Sequence, residues 1–463
     1  MPKQIRLNAF DMNCVGHIQH GMWTHPRDRS MDYTSLAYWQ HLARTAERGL
    51  FDGIFLADIV GVYDVYKNGP ETSITGGVQI PVNDPMMLVP AMAAVTTHLG
   101  FGVTSNLTYE PPYLFARRAS TLDHLTNGRF GWNIVTGYLD SAARGMGLPV
   151  QHDHDTRYDL AEEYMQVVYK LWEGSWEDDA VRRDRAGAVY ADPAKVHRVQ
   201  HEGRHYKLDA IHLAEPSPQR TPVLYQAGSS ARGQEFAATH AECVFINGME
   251  EGNVRETVAD LRRRTAGRGR DPGDLVIFLS RTTVVGRTAK EAREKYEDYH
   301  RHANVEAALA HFSSSSGIDF SRYELDEPIR YEKTNAMNSA VDAITRQAVA
   351  PWTKRRLIEQ MGLGSRNAPI VGSGEEVAET LIRLVEATDI DGYNLSRTVT
   401  PESLEDFVDL VVPALQERGA FKTRYEDGPL RQKLFGAPRL PSSHPAAAYR
   451  RAAAAAARRS AAE

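Results

Sequence analysis

Cysteine is scarce in this sequence: Cys14 and Cys243 are the two in 463 residues. That scarcity excludes a disulfide framework and a zinc site built on several cysteines. Long apolar runs are also missing, and none approaches the ~18 residues of a membrane-spanning helix. The N-terminus, MPKQIRLNAF, passes straight into strand-like sequence and shows no secretory signal. There is no basic excess either. Lys and Arg number 54 against 60 Asp and Glu, a formal net charge of −6, whereas nucleic-acid binders carry a basic footprint. With 42% hydrophobic and 25% charged residues, the composition is that of a globular protein rather than a disordered chain. The expectation left by these absences is a cytoplasmic, mildly acidic α/β enzyme with no membrane span and no nucleic-acid partner. At ~150 residues per domain the length suggests three domains, although α/β barrels exceed that as one unit.

What is present is a succession of short β-rich runs separated by helical patterns. Eight runs stand out: 5–10, 52–58, 100–106, 130–136, 222–228, 243–248, 275–286 and 391–399. Most are near-continuous apolar or β-branched stretches, as expected of parallel strands buried on both faces. Helical stripes lie between them, such as Leu36, Trp39, Leu42, Ala43 and Ala46, with Gly49 as the C-cap. Strict alternation favours a parallel sheet with crossover helices, and eight repeats point to a TIM (β/α)₈ barrel. A doubly wound open sheet stays open at this stage, because counting strands does not establish closure. Spacing predicts long insertions at 59–85, 173–221 and 313–372, after strands two, four and seven. All three are expected at the C-terminal rim, where barrel loops build active sites. A single barrel domain over 1–419 is then followed by a C-terminal extension, 420–463, ending in an Ala/Arg-rich tail.

Polar residues gather where the runs end. Cys14, His17 and His20 follow the first, Asp58 closes the second, Ser105 and Asn106 the third, Asn133 and Thr136 the fourth. In AGSSARG, Gly228 permits close approach, Ser229 and Ser230 offer hydroxyls, and the next helix presents free N–H groups to an anion; an ordinary Ser N-cap reads the same way. His17 suits proton transfer because an imidazole titrates near working pH, and His311 is a second candidate. Cys14 beside His17 could be an activated thiolate or merely a small pocket wall. His152-Asp153-His154-Asp155 resembles a metal cluster if extended, since alternate residues then share a face, but no third ligand stands at zinc spacing. No metal is therefore expected. Trp39, Trp132, Met86 and Met87 are expected in the core.

Several longer motifs recur together: LNAFDMNCVGHIQHGMW, FLADIVGVYDVY, QIPVNDP, ARRASTLDHLTNGR, WNIVTGYLDSA, HDTRYDLAEEYMQVVYKLWEGSWEDDAV, AEPSPQRTPVLYQAGSSARG and VVPALQERG. Through them the chain resembles the bacterial-luciferase-like, reduced-FMN-dependent monooxygenases of the nitrilotriacetate monooxygenase subgroup, over residues 3–450. Within that group it is most similar to members that oxidise dimethyl sulfide and long-chain alkanes. The resemblance implies a barrel with insertions and a two-component enzyme. A separate NADH-dependent flavin reductase supplies reduced FMN, and O₂ forms a flavin C4a-(hydro)peroxide that oxygenates a small apolar organic substrate. It further implies a homodimer or homotetramer.

Carried over by position, the resemblance places Asp58, Gly137, Tyr138, Tyr158, Ala227, Gly228, Ser229 and Ser230 around FMN, with Tyr158, Ser229 and Ser230 at the phosphate. Ser105 and Asn133 are implied as ring contacts. Cys14, His17, Tyr63, Gln79, Tyr138 and His311 are implied in the reaction pocket, with His17 as the main acid/base or hydrogen-bond donor. Alkane-oxidising members carry His where this chain has Tyr138, and Ser where it has Gly137. The departure favours C–S cleavage of a dialkyl sulfide over terminal alkane hydroxylation. A metal-dependent TIM-barrel hydrolase using the His/Asp run is the rival from another class.

Overall fold

Eight of the nine parallel strands in the main sheet close on themselves, as seen in a computed structural model. The structure describes residues 3–450 except 229, 249, 338–340, 343, 347, 349 and 364–367. The closing strands are β1 (Arg6–Met12), β2 (Gly53–Ala57), β3 (Gly100–Asn106), β4 (Phe130–Val135), β5 (Val223–Gln226), β6 (Cys243–Ile246), β7 (Val276–Gly286) and β8 (Gly392–Ser396). Each pairs in parallel with the next, and β8 pairs with β1 through Arg6↔Gly392 to Phe10↔Ser396. The fold is a TIM barrel, which settles closure against the open sheet. A ninth, short strand, Ile370–Ser373, pairs with the projecting end of β7.

Alternation along the strands sorts the side chains into two cores. Outward residues such as Leu7, Ile54, Phe101, Trp132, Leu224 and Ile277 pack under the helices. Inward residues Phe55, Val223, Tyr225, Cys243, Phe245, Val276 and Phe278 fill the barrel with Leu430 and Leu434. The helix Leu430–Phe435 thus closes the N-terminal mouth, so the C-terminal mouth is where a ligand can enter. Trp39, Trp132 and Met86 are buried as expected, while Met87 is 61% exposed; its neighbour on the short turn 85–88 takes the inward position. No helix among the described residues is long and apolar enough to cross a membrane.

Two insertions meet at the C-terminal rim. Val65 N donates to Ser314 Oγ at 3.3 Å and Lys67 N to Asp319 Oδ1 at 3.1 Å, joining the segment after β2 to the one after β7. Ser313–Ser316, a loop-like run in sequence, form the buried last turn of helix Val305–Ser316, with Gly317 at φ 76° ending it. The segment 173–221 departs from its expected place. It follows helix His154–Gly174, which leads away from the rim, and carries two antiparallel hairpins, the exposed Val181–Ala191 and Val199–Ala210, which buries Val199 and His201. Gln219 at its end bonds Asp123 and the Phe130 carbonyl at the start of β4. It therefore lies at the opposite end from the active-site mouth. The Ala/Arg-rich tail lies outside the described residues.

Candidate active site

A cavity of about 460 Å³ opens beyond the C-terminal ends of β2, β3, β4 and β5, within the roughly 300–1,000 Å³ typical of small-molecule sites. Asp58, Gly137, Tyr138, Tyr158, Ala227, Gly228 and Ser230 all line it, as do Ile59, Val60 and Ile134. Ser229 lies outside the described residues.

One end of the cavity is built for an anion. Ser230 caps helix Ala231–His240, its Oγ accepting the Gly233 N–H at 3.0 Å, and His154 Nε2 lies 3.2 Å from the same oxygen. The Tyr158 hydroxyl lies over this first turn: a Cβ on Gly233 would come within 2.7 Å of it. Helix N-termini present unpaired N–H groups and positive potential to such a ligand. Arg157 adds a full charge. It is 2% exposed, donates from one Nη to the His152 carbonyl at 2.7 Å and from the other to the Asn335 carbonyl at 2.9 Å, and leaves Nε unbonded. Burial pulls its pKa down. Its bonding partners are neutral carbonyls and Asp140 and Asp153 attract it only from farther off, so an incoming anion would supply the ion pair this buried charge lacks.

The other end is polar. Strand parity decides which side chains arrive there. Thr104 and Asn106 face the cavity, whereas Ser105 points outward, its hydroxyl 3.4 Å from Glu110 Oε2 and its carbonyl bonded by Trp132 Nε1. The expected Ser105 contact is thereby corrected: successive strand residues cannot share a face. Asn133 does point inward, its Nδ2 donating to Thr104 Oγ1 at 2.9 Å, and its Oδ1 is buried without a partner; Gln226 Oε1 is likewise unpartnered, but its amide lies beside Gly228 and Tyr158 at the anion end. Gly137 has φ 67°, and a Cβ there would collide with Asn106 Nδ2, so the turn beside Asn106 requires glycine. Asp58 sits at the rim, where burial and the neighbouring Asp84 push its carboxyl up to about 7.

Tyr63, Gln79 and His311 form a contiguous cluster behind Tyr138, and Cys14 and His17 lie in the loop that joins it through Gly16. The loops after β1 and β2 zip together through the bridges Cys14↔Val82 and Gly16↔Val78 and the Gln79 N–H to Gly16 carbonyl bond of 2.9 Å. Tyr63 donates its hydroxyl to Gln79 Oε1 at 2.7 Å, stands 3.4 Å from the Tyr138 hydroxyl, and stacks on His311 at 5.0 Å. His17 packs edge-on against Phe10 at 4.5 Å. Two chemical expectations change. Burial, helped by Arg397 and His20, holds His17 well below the usual imidazole range, so it is a neutral ring rather than a group poised at working pH. Burial also pushes the Cys14 thiol up to about 12, which rules out a resting thiolate.

Arg157, His154, Thr104, Asn106 and Gln226 were not singled out by composition or spacing as ligand contacts, apart from Asn106 as a polar strand end. Arg157 stands directly before Tyr158, and nothing in the run signals that its charge is left for a ligand. The His152–Asp155 run is not extended. Asp153 caps helix His154–Gly174 by accepting the Thr156 N–H at 3.0 Å, so the shared face required for a His152/His154 metal pair does not exist.

Comparison with known proteins accords with this geometry. Residues 17–390 match the model of the luciferase-like monooxygenase family. The chain is 46% identical over 453 residues to the dimethyl-sulfide monooxygenase of Hyphomicrobium sulfonivorans, covering 97% of this chain and 94% of that one. It is 47% identical over 452 residues to the long-chain alkane monooxygenase of Geobacillus thermodenitrificans, covering 97% and 99%. A solved riboflavin lyase holding a modified FMN and riboflavin superposes with a TM-score of 0.90 at 36% identity, over 97% of this chain and 100% of that one.

Proposed function

The chain belongs to the luciferase-like monooxygenase family and is a flavin-dependent monooxygenase, and on that premise we propose that it is the oxygenase component of a two-component system. In this reading a separate NADH-dependent reductase supplies reduced FMN, and the substrate is a small apolar organic molecule, foremost a dialkyl sulfide cleaved at a C–S bond. The observation that carries it is the polarity of the cavity. The buried Arg157 guanidinium and capped helix terminus stand at one end, and the unpartnered amide oxygen of Asn133 stands toward the other. That donor set fits flavin mononucleotide, with the phosphate at Arg157, Tyr158 and Ser230 and the ring toward Thr104, Asn106 and Asn133.

Bound reduced flavin supplies the activation of O₂. The protein's own contribution is to orient it, exclude water and hold protons in place. Because the Tyr63 hydroxyl donates to Gln79, a bond between the Tyr63 and Tyr138 hydroxyls is donated by Tyr138. Neutral His17 and the protonated Cys14 thiol put no charge near the reacting centre, which suits an apolar substrate. We assign His17 as the principal hydrogen-bonding group of the reaction pocket.

Terminal alkane hydroxylation is the second reading, supported by the comparable identity to the alkane enzyme. The test is a product screen with a generic flavin reductase, NADH and O₂, offering dialkyl sulfides, alkanes and aminocarboxylates. Oxygen insertion next to sulfur collapses to an aldehyde and a thiol in equal amounts; that pair is the expected product. A primary alcohol from an alkane with no reaction on sulfides transfers the assignment to the second reading. Flavin consumption with no oxygenated product from any class overturns both.

A further inference from the structure

His20 lies in the loop after β1, and His311 lies on helix Val305–Ser316 of the large insertion. Their rings meet edge to face with centroids 5.1 Å apart, and His20 Nε2 is 2.9 Å from His311 Nδ1. One of those two nitrogens carries the shared proton. His20 is 4% exposed, and burial pushes its pKa down to about 3, so its ring is neutral and has a single N–H. Were that proton on Nδ1, it would be a buried donor without an acceptor, for no described group bonds His20 Nδ1. Orphaned buried N–H groups are rarer than under-used acceptors. The arrangement that avoids one puts the proton on His20 Nε2, donating to His311 Nδ1. The proton of His311 must then reside on Nε2.

The pair is held in register by the backbone. The His20 carbonyl accepts the Asn304 N–H at 2.9 Å, and Asn304 caps the helix that carries His311 through the Ala307 N–H at 3.0 Å. Gly21 follows at φ 95°, where any side chain would collide with the His302 carbonyl. On its other side the His311 ring stacks on Tyr63 at an interplanar angle of 21°, and Tyr63 leads to Tyr138 at the cavity wall.

We propose that His20 is a positioning residue of the active site, whose Nε2–H fixes His311 in the tautomer protonated at Nε2 and so orients the ring that stacks on Tyr63 behind Tyr138. The proposal rests on the oxygenase reading of this site and deepens it. His20 touches neither flavin nor substrate; it acts through His311.

The test compares two near-isosteric variants in the full-length protein. Gln at position 20 keeps an N–H donor toward His311, whereas Glu offers only an acceptor. Nitrogen chemical shifts of ¹⁵N-histidine-labelled protein, with His311 assigned by its loss in H311N, report the tautomer directly. The wild type and H20Q are expected to show His311 protonated at Nε2. In H20E the Nδ1 position becomes protonated, and kcat falls about tenfold or more while the FMN dissociation constant stays within about threefold. A wild-type His311 protonated at Nδ1, or an H20E variant with unchanged tautomer and kcat, overturns the proposal. Unaltered melting temperatures separate these outcomes from misfolding. The tautomer readout needs no turnover, so its failure is distinguishable from failure of the assigned activity.

Discussion

Arg431, on the helix that closes the N-terminal mouth of the barrel, binds both carboxylate oxygens of Glu242, Nε to Oε1 at 2.7 Å and Nη2 to Oε2 at 2.9 Å. Both residues are nearly inaccessible, at 1% and 3% exposure. The same guanidinium donates to the carbonyls of Thr221 and Pro222 just before β5, at 2.8 and 2.9 Å. One side chain therefore ties the C-terminal extension to the barrel staves that carry the anion end of the site. Removing it would strand the Glu242 carboxylate in a buried position, a change that costs roughly 3–5 kcal/mol for such pairs. Arg431→Ala is expected to lower the melting temperature by about 3–5 °C, at ~1 °C per kcal/mol for a domain of this length. Scanning calorimetry measures it. A shift under about 2 °C would show the clamp to be dispensable.

Asp58 makes the site pH-sensitive. Its carboxyl is raised to about 7, so it is protonated below that value in the folded protein and ionised in the unfolded chain down to about pH 4. The sign follows: the folded state binds the extra proton, so this group's contribution to stability declines as pH rises between about 4 and 7. In the proposed binding mode the carboxylate that appears above 7 would share the cavity with a dianionic ligand. FMN affinity is expected to weaken several-fold from pH 6 to pH 8, and D58N to flatten that dependence. Flavin fluorescence titrations at each pH check it, and an equally steep profile in D58N would remove Asp58 from the site.

Both cysteines are buried with their thiols pushed up, Cys14 to about 12 and Cys243 well above the usual thiol range. Thiolate is the reactive form. Iodoacetamide at pH 8 is expected to leave the native protein unmodified over hours and to label both residues after denaturation, as read by intact mass. Selective labelling of Cys14 in the native state would restore it as a candidate nucleophile.

The barrel was legible because parallel strands buried on both faces leave uninterrupted apolar runs, and all eight read from such runs are present. The four short strands of the segment 173–221 left no such trace. Three are exposed or half-buried, as in Val181–Asp184, and the fourth, Val199–Glu202, buries only Val199 and His201, too short an alternation to stand out. At the site, the loop positions Asp58, Gly137, Tyr138 and Gly228 were legible from motif and strand ends. Ser105 was not, because a strand end names the neighbourhood while parity names the face. Neither was the neutrality of His17, since burial inside a closed barrel is a property of the assembled fold. Arg157 was missed for a related reason: what marks it is the lack of a carboxylate at ion-pair distance among the described residues, Asp140 and Asp153 acting only from farther off, and no local run of residues reveals that.

That missing partner gives Arg157 a distinctive mutational signature. An ordinary buried ion pair loses stability when truncated, but Arg157 has only the His152 and Asn335 carbonyls to hold it. Replacing it with Met keeps most of the side-chain volume and removes a charge that burial already disfavours. The ligand-free R157M protein is therefore expected to melt within about 2 °C of the wild type or slightly above it. FMN, in contrast, would lose a charge-assisted bond to its phosphate, worth roughly 1.5–3 kcal/mol, or about ten- to 150-fold in dissociation constant. Riboflavin, which lacks the phosphate, should bind both proteins equally. The discriminating measurement is the pair of titrations: equal losses for FMN and riboflavin would place the guanidinium at the ring or sugar and not at the phosphate, and no loss for either would leave its buried charge serving another ligand.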